Sequence, residues 1–192
     1  IKWVRNFKNI KNGPVIFFGN EFFDAIPIKQ FKRKKNYLFE KYYTLGKNNN
    51  IREIFKKASI SDEKKIKSFK TFSNLKFIEF PKKGLIELKD IINKILKLNG
   101  CILMIDYGYV KPNNQNTLQS VIKHKKNRLL KNLGKADITS HVNFSLLKEF
   151  FLKKNLKVKE IVTQSNFLKR MGIIERAEIV SKKMIFSEKA NL

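Results

Sequence analysis

The amino-acid sequence predicts an α/β protein built on an open, doubly wound sheet, and three observations lead to that prediction. Short apolar runs rich in β-forming residues occur at positions 14–18, 77–80 and 101–105. Residues 85–98 carry apolar side chains at the spacing of an amphipathic helix, directly before the third run. A helix and a strand bracketed by glycine are typical of a βαβ unit with parallel strands.

The first element is a strand at 14–18, predicted to be buried because the run is continuously apolar. A helix is predicted to follow, since Asn20 is a favourable N-cap and Glu21 and Asp24 would place carboxylates in its first turn. Pro27 would end that helix soon after it begins.

An insertion is predicted next, because residues 31–45 alternate in the manner of a β-hairpin around a polar turn at 34–36. The charged stretch at 51–71 gives no clear assignment. We therefore divide the chain, a partial domain spanning 1–192, into three segments. These are a strand and acidic helix start at 14–29, an insertion at 30–76, and the carboxy-terminal part of the α/β core at 77–192.

The rest of the chain continues the alternation of strands and helices. The run at 77–80 predicts a short strand, and Asn99-Gly100 is expected to end the helix over 85–98. The run at 101–105 predicts a second buried strand. Further elements are an amphipathic helix carrying Phe144, Leu147, Phe150 and Phe151 and a strand at 156–162.

The net charge first suggests a nucleic-acid binder, since 42 Lys and Arg against 16 Asp and Glu give +26. Only six of the 42 basic residues are Arg, the side chain that contacts bases and phosphates bidentately. The lysines are spread over the whole chain, with no Arg-rich run to focus them. Composition therefore favours solvated lysines over nucleic-acid recognition.

Other classes are disfavoured by what the composition lacks. One cysteine excludes an internal disulfide framework, and two histidines argue against a zinc cluster, so no metal site is predicted. The apolar runs are far shorter than the roughly 20 residues that span a bilayer, so no membrane span is predicted.

The candidate site lies where the predicted parallel strands end, because ligands of such sheets bind beyond the carboxyl ends of the strands. Glu21 and Asp24 follow the first strand, and Asp106 follows the strand at 101–105. These carboxylates could simply complement a helix dipole or form a tight turn. Gathered at one edge of a lysine-rich protein, they also predict a site for a cationic ligand or substrate.

Five sequence blocks, in order, carry a family resemblance. They are Asn-Glu-Phe-Phe-Asp-Ala-Ile-Pro at 20–27, Ile-Asp-Tyr-Gly at 105–108, Thr-Leu to His at 117–124, Asp-Ile-Thr-Ser-His-Val-Asn-Phe at 137–144, and a Thr-Gln, Phe-Leu and Gly-Ile block at 163–173. Together they resemble the MidA/NDUFAF7-type family of S-adenosylmethionine-dependent methyltransferases. The resemblance covers most of residues 14–173.

The resemblance implies a Rossmann-like class I methyltransferase fold, of which this chain would form the carboxy-terminal half. The family's Gly-rich cofactor loop has no counterpart, because no Gly-x-Gly occurs in the sequence. We therefore expect the chain alone to bind S-adenosylmethionine poorly. Asn143 replaces an Asp that the family usually carries, and we expect it to serve as a helix N-cap.

The resemblance also implies roles for residues at the strand ends. Glu21 and Asp24 are the predicted catalytic pair, which would hold an arginine, localise its charge and accept its proton. Gly19 and Asn20 are predicted to contact the cofactor. The predicted wall of the acceptor site consists of Asp106, Tyr107, Gly108 and His141.

The leading functional prediction is a methyltransferase acting on an arginine of a protein, with a complex I subunit as the acceptor implied by related proteins. A second hypothesis is a methyltransferase with another acceptor, since a fold does not determine a substrate. A third hypothesis is a non-catalytic assembly or nucleic-acid-binding module. The resemblance implies a bacterial cytoplasmic or a mitochondrial matrix location, and it leaves the oligomeric state open.

Overall fold

The computed structural model describes residues 3–47 and 50–182. The chain divides into two compact units, Ile1–Val158 and Lys159–Leu192. The first unit holds all strands of the described residues and all of the predicted site residues. In the second unit the described residues form two helices joined at Gly172, whose φ of 82° suits glycine. None of the described helices combines the length and apolar character needed to cross a membrane.

Strands and helices alternate only over residues 60–105; the strands before and after that stretch follow one another directly. The strands are β1 (Ile16–Asn20), β2 (Lys29–Lys34), β3 (Tyr37–Leu45), β4 (Ile51–Lys57), β5 (Phe77–Phe80), β6 (Cys101–Ile105), β7 (Gly108–Tyr109), β8 (Gln119–Ile122), β9 (Lys125–Asn127), β10 (Asp137–Thr139) and β11 (Val142–Asn143). The helices are α1 (Ile60–Lys67), α2 (Lys82–Lys97), α3 (Phe144–Leu152), α4 (Gln164–Arg170) and α5 (Ile173–Ser181).

The strands β1 and β6 are parallel neighbours, with Asn20 opposite Ile105. Their pairing, with α2 immediately before β6, confirms the predicted parallel arrangement. The predicted burial of β1 is wrong, because Ile16 is 75% and Phe18 64% exposed. Only the other face of the pair is covered in the described chain, where Ile102 and Met104 pack against the core.

The predicted insertion is a four-stranded antiparallel sheet in the order β4-β3-β2-β5. The hairpin of β2 and β3 turns at Lys35, whose φ is 51°, as the sequence predicted. Part of the unassigned stretch at 51–71 forms β4 and α1. The sheet also takes in β5, which lies beyond the predicted end of the insertion at residue 76.

One hydrophobic core joins this sheet to the helices. Its fully buried members include Phe31 of β2, Ile78 of β5, Leu88 of α2 and Leu146 of α3. The side chain of Asn143 accepts a hydrogen bond from the Leu146 N–H, which confirms Asn143 as the N-cap of α3. The α/β core and the antiparallel sheet are therefore joined by one hydrophobic core within the first unit.

The strand predicted at 156–162 is wrong, because the backbone there is irregular. Its apolar pattern does lead to burial, since Leu156 and Val158 pack against the core. A strand additionally needs a neighbour for its backbone hydrogen bonds, and the described residues provide none at this segment.

Glu149 of α3 links that helix to the short 3-10 helix at Lys70–Phe72. Its carboxylate accepts hydrogen bonds from the N–H groups of Lys70 and Thr71 at 2.8 and 2.9 Å, and it pairs with Lys153. Burial alone would raise the pKa of Glu149, but the hydrogen bonds from Thr71, Lys153 and Lys70 lower it to about 2. The carboxylate therefore stabilises the fold only while it is ionised.

We expect Glu149→Gln to lower the free energy of unfolding near neutral pH by about 1 to 2 kcal/mol, allowing for partial solvent screening. Because the folded pKa lies below the unfolded value, this contribution is complete above pH 4.5 and is lost as the pH falls towards 2. Urea unfolding of the unchanged protein and of Glu149→Gln should show that their difference in unfolding free energy shrinks as the pH falls from 4.5 towards 2. Glu63→Gln is the control, since Glu63 has a similar pair with Lys67 but no described hydrogen bond to a backbone N–H. An equal loss in both variants would contradict the role of the backbone hydrogen bonds.

Candidate active site

The helix predicted after β1 does not form. Asn20 is the last residue of β1, and Glu21 adopts a left-handed conformation with a φ of 47°. Residues 22–26 make turns instead. The reason is a long-range contact: Asp106 accepts the hydrogen bonds from the backbone N–H groups that a helix N-cap would otherwise satisfy.

Asp106 follows β6 and fixes the turn that follows β1. Its Oδ2 accepts from the N–H groups of Phe22, Phe23 and Asp24 at 3.1, 2.8 and 3.3 Å, and its Oδ1 accepts from the N–H of Tyr107 at 2.9 Å. Burial and the nearby charge of Asp24 raise the pKa of Asp106, while the backbone N–H groups oppose that rise. Both oxygens of this carboxylate are thus engaged by the protein backbone.

Asp24 lies at the centre of the candidate site. Its side chain is buried, and the Tyr107 hydroxyl donates a hydrogen bond to its Oδ2. Its Oδ1 is also buried and has no hydrogen-bond partner among the described residues. A buried carboxylate oxygen without a donor is costly, which makes this atom a candidate acceptor for a donor that lies outside the described residues.

Tyr107 connects Asp24 with the other acidic and aromatic groups. The hydrogen bond to Asp24 raises the pKa of Tyr107 to about 12, with further contributions from burial and from the charge of Glu21. The phenol therefore keeps its proton near neutral pH and acts as the donor. Its ring lies edge-on to the His141 ring, with 6.1 Å between the centroids.

The remaining predicted residues surround this pair in different ways. Glu21 and Asn20 are exposed at the strand end, and Gly19 is half-buried. Gly108 is a packing residue, because a Cβ there would lie 2.0 Å from the Val142 carbonyl oxygen. The exposed His141 donates its backbone N–H to Thr117 Oγ1. The structure thus brings together Glu21, Asp24, Asp106, Tyr107 and His141.

Two supporting residues were not singled out by sequence reasoning, although both lie in blocks that carry the resemblance. The N–H of Ser140 donates to the backbone oxygen of Asp24 at 2.8 Å, which holds the other side of the turn. Thr117 donates to Glu79 and accepts from His141, so it ties the His141 loop to β5. Sequence position gave no sign of these long-range contacts.

A cavity of about 470 Å³ opens beside His141. Its volume is in the range of ligand pockets, and its lining includes Thr117, Gln119 and Lys126. Neither Glu21 nor Asp24 lines it. The buried carboxylate oxygen is therefore the better candidate for the chemistry, and His141 is the predicted site residue that lines the cavity.

The solved structures define the class of fold. The chain has a TM-score of 0.76 and 18% identity to a COG1565 superfamily member from Burkholderia thailandensis, whose crystal structure contains S-adenosyl-homocysteine. The similarity covers 99% of this chain and 50% of that one. It confirms the predicted class I methyltransferase fold with its inserted sheet.

The family follows from the sequence. Residues 1–162 match the family described as "Putative S-adenosyl-L-methionine-dependent methyltransferase", and the chain belongs to that family. It is 27% identical over 179 residues to the mitochondrial protein arginine methyltransferase NDUFAF7 homolog of Caenorhabditis elegans, covering 92% of this chain and 42% of that protein. The human mitochondrial protein arginine methyltransferase NDUFAF7 is 25% identical over 185 residues, covering 95% and 41%. The chain thus spans less than half the length of these relatives.

Proposed function

We propose that this chain forms the acceptor side of an S-adenosylmethionine-dependent methyltransferase that modifies an arginine of a protein. The observation that carries the proposal is the buried Asp24 Oδ1 without a described partner, at the carboxyl ends of two parallel strands. A guanidinium offers five N–H donors and a positive charge, which match that oxygen and the nearby Glu21. The names of the NDUFAF7 relatives support the same acceptor.

The strand ends also fit the cofactor that the family uses. A Cβ at Gly19 would make only ordinary contacts, the nearest at 3.6 Å, so protein packing does not demand a glycine there. No side-chain hydrogen bond engages Asn20 among the described residues, which leaves its amide available. We propose that Gly19 and Asn20 contact S-adenosylmethionine, which when bound supplies a methyl group activated by its positively charged sulfur.

In the proposed mechanism the carboxylates align and deprotonate the acceptor. Tyr107 donates to one oxygen of Asp24, and in this proposal the other oxygen, which has no donor among the described residues, accepts from the guanidinium. Glu21 supplies a second negative charge, which contributes to the raised pKa of the same phenol. Orienting the guanidinium nitrogen and removing its proton are the two tasks that methyl transfer leaves to the protein.

The other predicted site residues take supporting roles in this proposal. Asp106 acts through the turn at 22–24, because both of its oxygens are engaged by backbone N–H groups. Tyr107 and His141 form the wall of the acceptor site.

A complex I subunit as the acceptor stays a prediction. The names of the relatives support a mitochondrial location, and the bacterial cytoplasm stays a prediction from sequence.

The test is to make Glu21→Gln and Asp24→Asn in the complete protein and to measure methyl transfer and cofactor binding separately. We expect methyl transfer to fall about tenfold for Glu21→Gln and about a hundredfold for Asp24→Asn. The larger effect is expected at Asp24 because its carboxylate is buried and hydrogen-bonded by Tyr107, whereas Glu21 is exposed. Cofactor affinity should stay within about twofold in both.

Gly19→Ala is the complementary variant, because its added methyl group meets no close protein atom. It should weaken cofactor binding while leaving the unfolding free energy within about 0.5 kcal/mol. Unchanged methyl transfer in both carboxylate variants would overturn the assignment of Glu21 and Asp24. Unchanged cofactor binding in Gly19→Ala would overturn the placement of the cofactor alone.

A further inference from the structure

The outer face of the four-stranded sheet carries lysines and aromatic rings in alternation. Side chains directly opposite each other in paired strands lie on the same face, and the pairs include Lys32 with Phe39, Phe39 with Lys57, and Lys41 with Phe55. We call this surface the lysine–aromatic face. Its members are Lys32, Lys34, Tyr37, Phe39, Lys41, Tyr43, Glu53, Phe55 and Lys57.

Each lysine of this face lies over a ring of the same face. The Nζ atoms of Lys32 and Lys34 are 4.4 and 5.7 Å from the ring centroids of Phe55 and Phe39. Those of Lys41 and Lys57 are 5.0 and 4.7 Å from the rings of Tyr43 and Tyr37. Such cation–π contacts restrain long side chains that would otherwise move freely, so the ammonium groups are held in a fixed array.

The array is positively charged and largely uncompensated. Glu53 is the exposed carboxylate of the face, and it pairs with Lys41 at 2.7 Å. Glu79 of β5 lies on the same side of the sheet, but it is buried and accepts hydrogen bonds from Gln30 and Thr117. No carboxylate of a described residue lies within 4 Å of Lys32, Lys34 or Lys57. By contrast, Lys29 and Lys82 elsewhere in this unit both pair with Asp62. Three of the four lysines of the lysine–aromatic face thus have no carboxylate partner among the described residues.

We propose that the lysine–aromatic face binds an acidic, extended segment of a protein. Carboxylates complement the restrained ammonium groups, and β4 lies at the edge of the sheet in the described chain, where an extended segment can approach. The surface is separate from the carboxylates of the candidate active site, so the proposal does not depend on methyl transfer.

A single-stranded nucleic acid fits this face less well. Bases stack on open ring faces, whereas each ring that carries a lysine here already has an ammonium group over it. The guanidinium of Arg33, which lies between Lys32 and Lys34 in β2, donates instead to the backbone oxygens of Phe72 and Leu75. The face therefore offers ammonium groups, but it offers neither free ring faces for stacking nor guanidinium groups. This combination favours the binding of carboxylates over the binding of nucleic acid.

The experiment measures the fluorescence anisotropy of a labelled Glu-Gly repeat peptide titrated with the full chain at low salt. We expect Lys34→Glu together with Lys57→Glu to weaken binding about tenfold, since each reversal removes one exposed attraction and adds a repulsion. Phe55→Leu, which keeps every charge but removes the ring beneath Lys32, should weaken binding about twofold.

The matched control is Lys89→Glu with Lys148→Glu, two exposed lysines on α2 and α3, which changes the net charge equally. It should leave the affinity within about twofold. Equal weakening by both pairs would show attraction to net charge alone and would overturn the proposal. Absence of peptide binding at low salt would also overturn it. So would tighter, face-dependent binding of a labelled oligothymidylate, which would assign the face to nucleic acid.

Discussion

Asp106→Ala is expected to destabilise the protein by about 3 kcal/mol and to reduce methyl transfer about a hundredfold in the complete protein. Three N–H groups of the turn at 22–24 would lose their acceptor, at about 1 kcal/mol each. The turn carries Asp24 and follows Glu21, so both proposed catalytic carboxylates would lose their placement. Displacements of about 1 Å at a reacting group are enough to cost about a hundredfold in rate.

Two variants separate this effect from the loss of a negative charge. Asp106→Asn keeps one oxygen that can face the turn but places an amide group opposite the Tyr107 N–H, so an intermediate loss of about 1 to 2 kcal/mol is expected. Asp90→Ala removes a partly exposed carboxylate whose one ion pair among the described residues is with Lys8, and it should cost less than about 1 kcal/mol. Urea unfolding measures all three. A stability loss for Asp106→Ala no larger than that of Asp90→Ala would show that the turn does not depend on this carboxylate.

Asp106 also shows why the site was only partly predictable from sequence. The meeting of Asp24 and Asp106 at one edge follows from the rule that parallel strands present their carboxyl ends together, and β1 and β6 obey it. The helix predicted from Asn20 was wrong because its N-cap signal is local, whereas the acceptor that captures the N–H groups lies about eighty residues away. A local helix preference is overridden when the folded chain places another hydrogen-bond acceptor next to the same N–H groups.

The fold was more predictable where a pattern alone determines the outcome. The amphipathic spacing of α2 and the hairpin of β2 and β3 need no distant partner to be recognised. The segment at 156–162 failed because burial and strand pairing are separate requirements, and its apolar residues meet only the first. Exposure was also mispredicted for Ile16 and Phe18, since an apolar run shows what a segment prefers but not what covers it.

The distribution of charge was likewise only partly predictable from the sequence. Its size is visible in the composition, and the scarcity of arginine argues that much of it is solvated lysine. The lysine–aromatic face depends on strand register, because Lys57 lies over Tyr37 only when β3 and β4 pair as they do. Register is set by the hydrophobic face of the hairpin, so this surface could not be read from counts of basic residues.

Gly108→Ala is expected to cost at least about 3 kcal/mol of unfolding free energy, because the added methyl group would meet backbone atoms. Its Cβ would lie 2.0 Å from the carbonyl oxygen of Val142 and 2.9 Å from its nitrogen, in the pairing of β7 with β11. A backbone clash cannot be relieved by a rotamer change, so the pair must separate. The separation would also shift Tyr107, whose carbonyl accepts from the Val142 N–H, away from His141.

Gly134→Ala is the matched control, since the same methyl group there meets no atom within 4 Å and only the left-handed φ of 78° is unfavourable. That substitution should cost about 1 kcal/mol. Thermal unfolding with a near-ultraviolet signal from the tyrosines would follow both variants. If Gly108→Ala unfolds at the same temperature as Gly134→Ala, the close approach of β7 to β11 does not constrain residue 108. A large difference would identify this glycine as the residue that lets the Tyr107 and His141 loops meet.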